Sequence, residues 1–444
     1  DYRNQYINRL NQNLKLSAGI SYNWTFRNIS LQPEYNYAYS YIKTDNPLYR
    51  LDKISGRDSS LFDRLPSATS ILATVLDNGN TYHFTEYQNS HQFNFCYRDL
   101  HSKLLKCEIS VNLPVRIAHA NLYYQRMGRH DVSRQSIFFE PNIWLRGNAW
   151  EIKAKMNSEL PDLTTMVNYR DDSNPMNIIL GNMQLRNIHY YDIEGGKTFE
   201  GKKHSRLNIN MGYHQTDNAV AYSLVFDKQT GVSTVQPISV NGNYRIDLGI
   251  GYTRPLDKKE KLSIDNQASF NYNHNVDMAM VQGATQSQRS IVNNWKISNV
   301  LKLNYRPDDN YEFTLHGGGT YYLIKSQREG FSNIHAGDYN IGMNVQITLP
   351  WKLQLTTDLT MFARRGYQLS EMNTTDWIWN AQLSRSFINK KLLVKLQGFD
   401  ILRQLSNTQY LMNAQGRTET WNNSIPRYMM LSLSWRFNVN PKKK

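Results

Sequence analysis

Residues 13–27 read NLKLSAGISYNWTFR, and taken two at a time they separate completely. Leu14, Leu16, Ala18, Ile20, Tyr22, Trp24 and Phe26 are apolar or aromatic, while Asn13, Lys15, Ser17, Gly19, Ser21, Asn23, Thr25 and Arg27 are not. Successive side chains of a strand point to opposite faces, so this period of two describes a strand with one apolar face and one wetted face. Soluble strands cluster near about 5–6 residues, whereas a tilted strand crosses a bilayer in about 9–11.

The pattern recurs along the chain. It resumes after Arg27 and Asn28 in the odd phase, as Ile29, Leu31, Tyr35, Tyr37, Tyr39 and Tyr41, the mark of a tight hairpin. Phe93, Phe95 and Tyr97 lead into Leu105, Cys107, Ile109 and Val111, and Ile143 and Leu145 turn at RGN into Trp150, Ile152, Ala154 and Met156. Leu207, Ile209, Met211 and Tyr213 are expected to turn at QTDN into Val220, Tyr222, Leu224 and Phe226. The second half repeats the device down to Ile347 and Leu349, and finally to Leu431, Leu433, Trp435 and Phe437. Asn266, Asn293 and Asn299 fall in otherwise apolar phases, and Gly317, Gly318 and Gly319 are expected to break a strand.

Short turns alternate with longer loops, at 44–86, 159–205, 228–239, 273–288, 325–337, 364–374 and 400–426. Outer-membrane barrels are laid out this way, with tight periplasmic turns and long outer loops. The expectation is an all-β fold, a large antiparallel transmembrane β-barrel of about 17 strands in residues 1–444. An odd count sends the first and last strands the same way, so further strands and a pore-filling domain are expected before Asp1. Mean hydropathy is low, at −0.62, and no apolar run is long enough for a membrane helix. A barrel is apolar only at alternate residues, so neither fact counts against it.

Lipid is then the partner of one face. Leu14, Leu16, Ile20, Tyr22, Trp24, Phe26, Ile347, Leu349, Leu431, Leu433, Trp435 and Phe437 are expected to face it. The formal charge of +14 is spread over the chain apart from the tail Lys442, Lys443 and Lys444, and no aromatic-interleaved basic motif points to nucleic acid. Lys106, Arg116, Lys153, Lys155, Arg245, Lys296 and Lys302 fall in the lumen phase, as candidates to line a route for anionic solutes. Pairing with Glu108, Glu151 and Asp247 is the structural alternative. Cys96 and Cys107 stand in opposite phases of neighbouring strands and are not expected to bridge.

No G-x-S-x-G, H-E-x-x-H, P-loop or G-x-G-x-x-G pattern occurs, so neither an enzyme nor a cofactor is expected. The paired aspartates of RDDSN (170–174) and RPDDN (306–310) are turn residues first and cation ligands second. Tyr82, Phe331, Tyr410 and Trp421 are expected in long loops, where binding concentrates on a rigid scaffold.

Three segments carry a resemblance: NPLYRLDKISGRDSSLFDRLPSATSIL (46–72), ELPDLTTMVNYRDDSNPMNIILGNMQL (159–185) and the closing LVKLQGFDILRQ (393–404) with RYMMLSLSWRFN (427–438). Together they resemble the outer-membrane β-barrel family of Bacteroidetes, related to the TonB-dependent, SusC-like receptors. The resemblance implies a 22-strand barrel in the outer membrane of a Gram-negative bacterium, preceded by a plug. It also implies contact with TonB through an N-terminal region outside these residues. Two features depart from the family pattern: Gly181-Asn182-Met183 stands where Gly-Asn-Pro is usual, and NVNPKKK follows Phe437. Two functions follow: transport of a large solute, or a non-transporting barrel subunit that assembles with other outer-membrane or surface lipoprotein subunits.

Overall fold

The computed structural model describes the chain except residues 1–3, 55–64, 67–69, 103–104, 281–283, 328–330, 407, 414–415, 422–424, 426 and 438–444. Its main feature is one antiparallel sheet in which each strand pairs with its neighbours in sequence. In chain order these are β1 (Leu10–Ser21, continued by Trp24–Phe26), β2 (Ile29–Asn46), β3 (Tyr82–Asp99), β4 (Glu108–Asn112 and Val115–Gln125) and β5 (Arg129–Phe139 and Asn142–Arg146). They continue as β6 (Trp150–Glu159), β7 (Ile188–Glu200), β8 (Arg206–Asp217), β9 (Asn243–Pro255), β10 (Leu262–Ala279) and β11 (Gln288–Asp308). The remainder are β12 (Tyr311–Ser326), β13 (Ile334–Leu349), β14 (Leu353–Arg365), β15 (Thr375–Phe387), β16 (Leu392–Phe399) and β17 (Tyr428–Trp435).

The breaks within β1, β4 and β5 share a cause. Each lies at a proline, which has no N–H to give the ladder: Pro33 stands opposite the gap in β1, and Pro114 and Pro141 occupy the gaps in β4 and β5. Register is unchanged across all three, so the inside and outside faces persist.

Among the described residues the wall has the expected seventeen strands, reached through two opposing corrections. Residues 219–226 do not return down the wall after β8. Ala219–Phe226 pairs instead with Ser233–Val240, and both join Asn177–Leu180 and Arg170–Asp171 in a four-stranded sheet built from the long loops. Residues 228–239 are thus a hairpin rather than an open loop. The strand missed is β7, which lay inside the expected loop 159–205; HYYDIEGGKTFE has only scattered apolar positions, too few to show a period of two. β8 pairs with β7 and β9.

Two smaller corrections concern loops and glycines. β10 runs to Ala279, so the loop expected from 273 is shorter, and β12 passes unbroken through Gly317, Gly318 and Gly319. Among the described residues β1 pairs only with β2 and β17 only with β16, which leaves one free edge on each.

The outward faces are belted. Tyr41 with Tyr87 and Tyr272 with Trp295 lie 5.2 and 5.1 Å apart by ring centroid toward the long-loop end. Tyr22 with Trp24 and Tyr305 with Phe313, at 5.2 and 6.3 Å, lie toward the short-turn end. Amphipathic rings at two levels bounding an apolar band are what a bilayer's two interfaces select.

The asparagines of the apolar phase have a physical account. Asn266 Nδ2 donates to Asn299 Oδ1 at 3.0 Å and Asn299 Nδ2 donates back to Asn266 Oδ1 at 3.2 Å. The two amides satisfy one another where water is absent. Asn293 accepts from Tyr272 Oη, and lies 2.8 Å from His274 Nδ1, at the level of the upper rings.

Candidate solute path

On the inward face two outer loops fold back against the wall. Residues 160–187 bring Leu163, Met166, Val167 and Leu185 onto Phe84, Ala120, Leu122, Tyr124 and Val132, forming a core on what would otherwise be the wetted side. Residues 366–374 bring Tyr367 and Met372 onto Ile324, Ile334 and Ala336. At these strand tops the inward phase is apolar as well, and burying it against the loop is what holds the loop in place.

The turn at 163–166 starts from Asp162, whose carboxylate accepts from Thr164 N at 2.9 Å. Gly181 lies so close to Val167 that a Cβ would stand 1.8 Å from its carbonyl oxygen, so only glycine fits there. Asn182 then donates to the Pro237 carbonyl at 2.9 Å and joins the two loop systems.

Between this folded-in loop and β1–β4 is a cavity of about 700 Å³, lined among others by Arg9, Asn11, Tyr82, Glu86, Tyr124 and Tyr169. Tyr124 stacks on Tyr169 at 4.8 Å and on Tyr82 at 5.5 Å. Tyr82 therefore belongs to a strand that lines the cavity, not to a loop.

Below it the lumen wall of β6–β9 carries a shallow charged trough of about 400 Å³. Gly196, Gly212 and Gly249 leave its floor bare. A Cβ at Gly212 would meet His214 Nε2 at 3.0 Å, so the glycine makes room for the imidazole to lie across the wall. His214 reaches Asp192 with Nδ1 at 2.5 Å and Asp247 with Nε2 at 3.3 Å.

The seven cations expected in the lumen phase divide into four groups. Lys153 pairs with Glu151 at 3.2 Å, Lys155 with Asp192 at 3.5 Å and Arg245 with Asp247 at 2.7 Å, so within the trough each cation has its acid. Arg116 is bound on both sides of its fork by Glu140, at 2.7 and 3.0 Å, and lies 4.5 Å from the Phe138 ring. Lys296 lies 5.8 Å over Tyr322, and neither it nor Lys302 has an ion pair among the described residues. Lys106 is a correction: it occupies the β3–β4 turn with φ +53°, outside any strand and remote from the trough.

Of the positions expected toward lipid, Leu14, Leu16, Ile20, Tyr22, Trp24, Phe26, Leu431, Leu433, Trp435 and Phe437 are exposed, and Ile347 and Leu349 are half-buried. Phe331 packs on the core beneath residues 366–374, while the side chains of Tyr410 and Trp421 and the tail lysines lie outside the described residues. Cys96 and Cys107 are both free.

Asp171 of RDDSN is held by the buried Arg126 at 3.0 Å, and no cluster of three metal-ligating side chains occurs among the described residues. Sequence reading missed Arg126, which also donates to the Gly79 carbonyl at 2.8 Å. It stands in a three-residue turn between β4 and β5 where nothing in the local pattern marks it.

The outer membrane protein beta-barrel family matches residues 285–435, from just before β11 to the end of β17. No curated protein matches the chain by sequence. Among solved structures, the copper transporter OprC is similar over 98% of this chain and 72% of its own, at 10% identity and a TM-score of 0.37. The FrpB iron transporter from Neisseria meningitidis is similar over 98% of this chain and 82% of its own, at 11% identity and a TM-score of 0.30. Likenesses this loose bear on no residue here. The family match and the belted sheet together place the chain in the outer membrane as a β-barrel protein.

Proposed function

We propose that the chain is the wall of a TonB-dependent-receptor-like barrel that passes a large polar solute across the outer membrane. The observation carrying this reading is the polar lumen wall of β6–β9, floored by glycines, together with the roomy cavity that β1–β4 leave beneath the folded-in loop. Its cations are mostly neutralised by neighbouring acids, so the wall offers paired hydrogen-bonding groups rather than a field of one sign. That suits a solute with many polar groups better than a simple anion.

In this reading the chain is the C-terminal part of a 22-strand barrel of the Bacteroidetes family. Free strand edges are not tolerated in hydrocarbon. Since β1 and β17 run the same way, an odd number of further strands lets every pair be antiparallel, and five complete the count.

A second reading draws on the two loops that fold into the lumen. A wall roofed by its own loops also suits a barrel that transports nothing and serves a multi-subunit assembly with surface lipoproteins. Purifying the complete protein from its native membrane and identifying what accompanies it separates the two. A barrel with a plug, or with one binding lipoprotein, supports transport; stable association with several unrelated subunits overturns it.

A further inference from the structure

Along the upper rim of the outward face, cations come with their own acids over the first part of the sheet. Lys43 and His83 share Asp45 at 3.7 and 2.9 Å, and Arg129 meets Asp131 at 2.7 Å. On β12–β14 the arrangement changes. Lys325, His335 and Arg365 are exposed on the outward phase of three adjacent strands, and no Asp or Glu occurs anywhere in that phase of the three.

Register places the three side by side. His335 stands opposite Leu323, two residues below Lys325, and Arg365 stands opposite Gly337, two residues from His335. Diagonal neighbours of this kind are separated by about 7–8 Å. The donors are also set. Arg365 Nη1 donates to the Arg364 and Thr374 carbonyls at 2.8 and 2.7 Å, and Nη2 donates to Thr375 Oγ1 at 2.6 Å. His335 Nδ1 lies 3.0 Å from Tyr321 Oη, and Lys325 Nζ stands 5.7 Å over the Trp295 ring.

Height decides the ligand. From Tyr311 to Leu323 the strand advances about 40 Å at ~3.3 Å per residue, which is about 28 Å along the membrane normal at a tilt of roughly 45°. That equals the hydrocarbon thickness, so Lys325, two residues further on, enters the headgroup layer about 5 Å beyond it.

We propose that Lys325, His335 and Arg365 form a binding site for the phosphate of an outer-leaflet lipid headgroup. The site rests on the outer-membrane placement but not on either function above. A lipid is the occupant because the three groups face away from the lumen at the hydrocarbon edge, Lys325 just above the aromatic belt, His335 level with Leu323 and Arg365 level with Tyr321. There a phosphate tethered to acyl chains is held at the height of the donors.

The test uses the complete chain in phosphatidylcholine nanodiscs doped with a bisphosphorylated glycolipid, and reads retained lipid by native mass spectrometry. Expected is retention that falls about fivefold for each cation removed in Lys325→Ala and Arg365→Ala. Lys43→Ala, on the acid-paired part of the rim, leaves retention unchanged, and Arg365→Lys retains most of it and keeps the test informative should Arg365→Ala fold poorly. Retention unaffected by the alanine variants, equal retention of the dephosphorylated glycolipid, or displacement of the lipid by equimolar inorganic phosphate would each overturn the lipid site.

Discussion

The guanidinium of Arg126, only 4% exposed, meets the carboxylate of Asp171 at 3.0 Å and so ties the β4–β5 turn to the loop folded into the lumen. The same group donates to the Gly79 carbonyl at 2.8 Å, so one side chain joins two outer loops across the top of the wall. Arg126→Ala leaves Asp171 without its partner and is expected to cost about 3–5 kcal/mol locally, as breaking a buried pair does. Hydrogen exchange in residues 160–187 is expected to rise in that variant. Arg126→Met with Asp171→Leu is expected to recover most of the protection, because neither charge is then left alone.

The reciprocal amide pair of Asn266 and Asn299 makes a second prediction. Asn299→Leu alone leaves the Asn266 amide facing hydrocarbon with a bond lost, at about 1–2 kcal/mol. The double change to leucine is expected to be close to neutral. Urea unfolding of the four proteins in lipid measures the coupling, and strictly additive effects would contradict the pairing.

Burial, with the hydrogen bond to Asp338 at 2.9 Å, pushes the Tyr367 phenol up to about 12. A raised folded value means that the contribution is complete below the unfolded value of about 10 and is lost as pH rises through 12. Loop 366–374 is therefore expected to resist proteolysis up to pH ~10 and to open above it. Tyr367→Phe removes that dependence and weakens the loop at neutral pH by about 1 kcal/mol.

The wall was legible because lipid imposes a period of two on every strand that touches it, as in residues 13–27, and because outer loops are longer than periplasmic turns. What the pattern hid lies where lipid ceases to be the only apolar medium. Leu122 and Tyr124 are apolar in the inward phase because a loop covers them, so the top of β4 shows no alternation at all. β7 was missed since its apolar residues are sparse, and 219–226 was admitted because a strand in a loop sheet alternates just as a wall strand does. The trough around His214 was invisible for another reason. Asp192, His214 and Asp247 come from three strands and meet only through register.

Ile20 and its neighbour Ser21 occupy opposite phases of β1, and Ile20 is 72% exposed. Ile20→Arg, on the lipid face just above the lower rings, is expected to cost about 1–2 kcal/mol, while Ser21→Arg is expected to be mild. Equal tolerance of both in refolding into vesicles would contradict the assigned faces.

The most direct measurement is a cysteine scan along β2, residue by residue, with Cys96 and Cys107 replaced and each new thiol carrying an environment-sensitive fluorophore in a bilayer. Quenching by brominated lipid is predicted at Leu31, Tyr35, Tyr37 and Tyr39, and quenching by aqueous iodide at Gln32, Glu34, Asn36 and Ala38. A uniform response along the strand, or alternation in the reverse phase, would contradict the claim that one face of this sheet meets hydrocarbon and the other meets water.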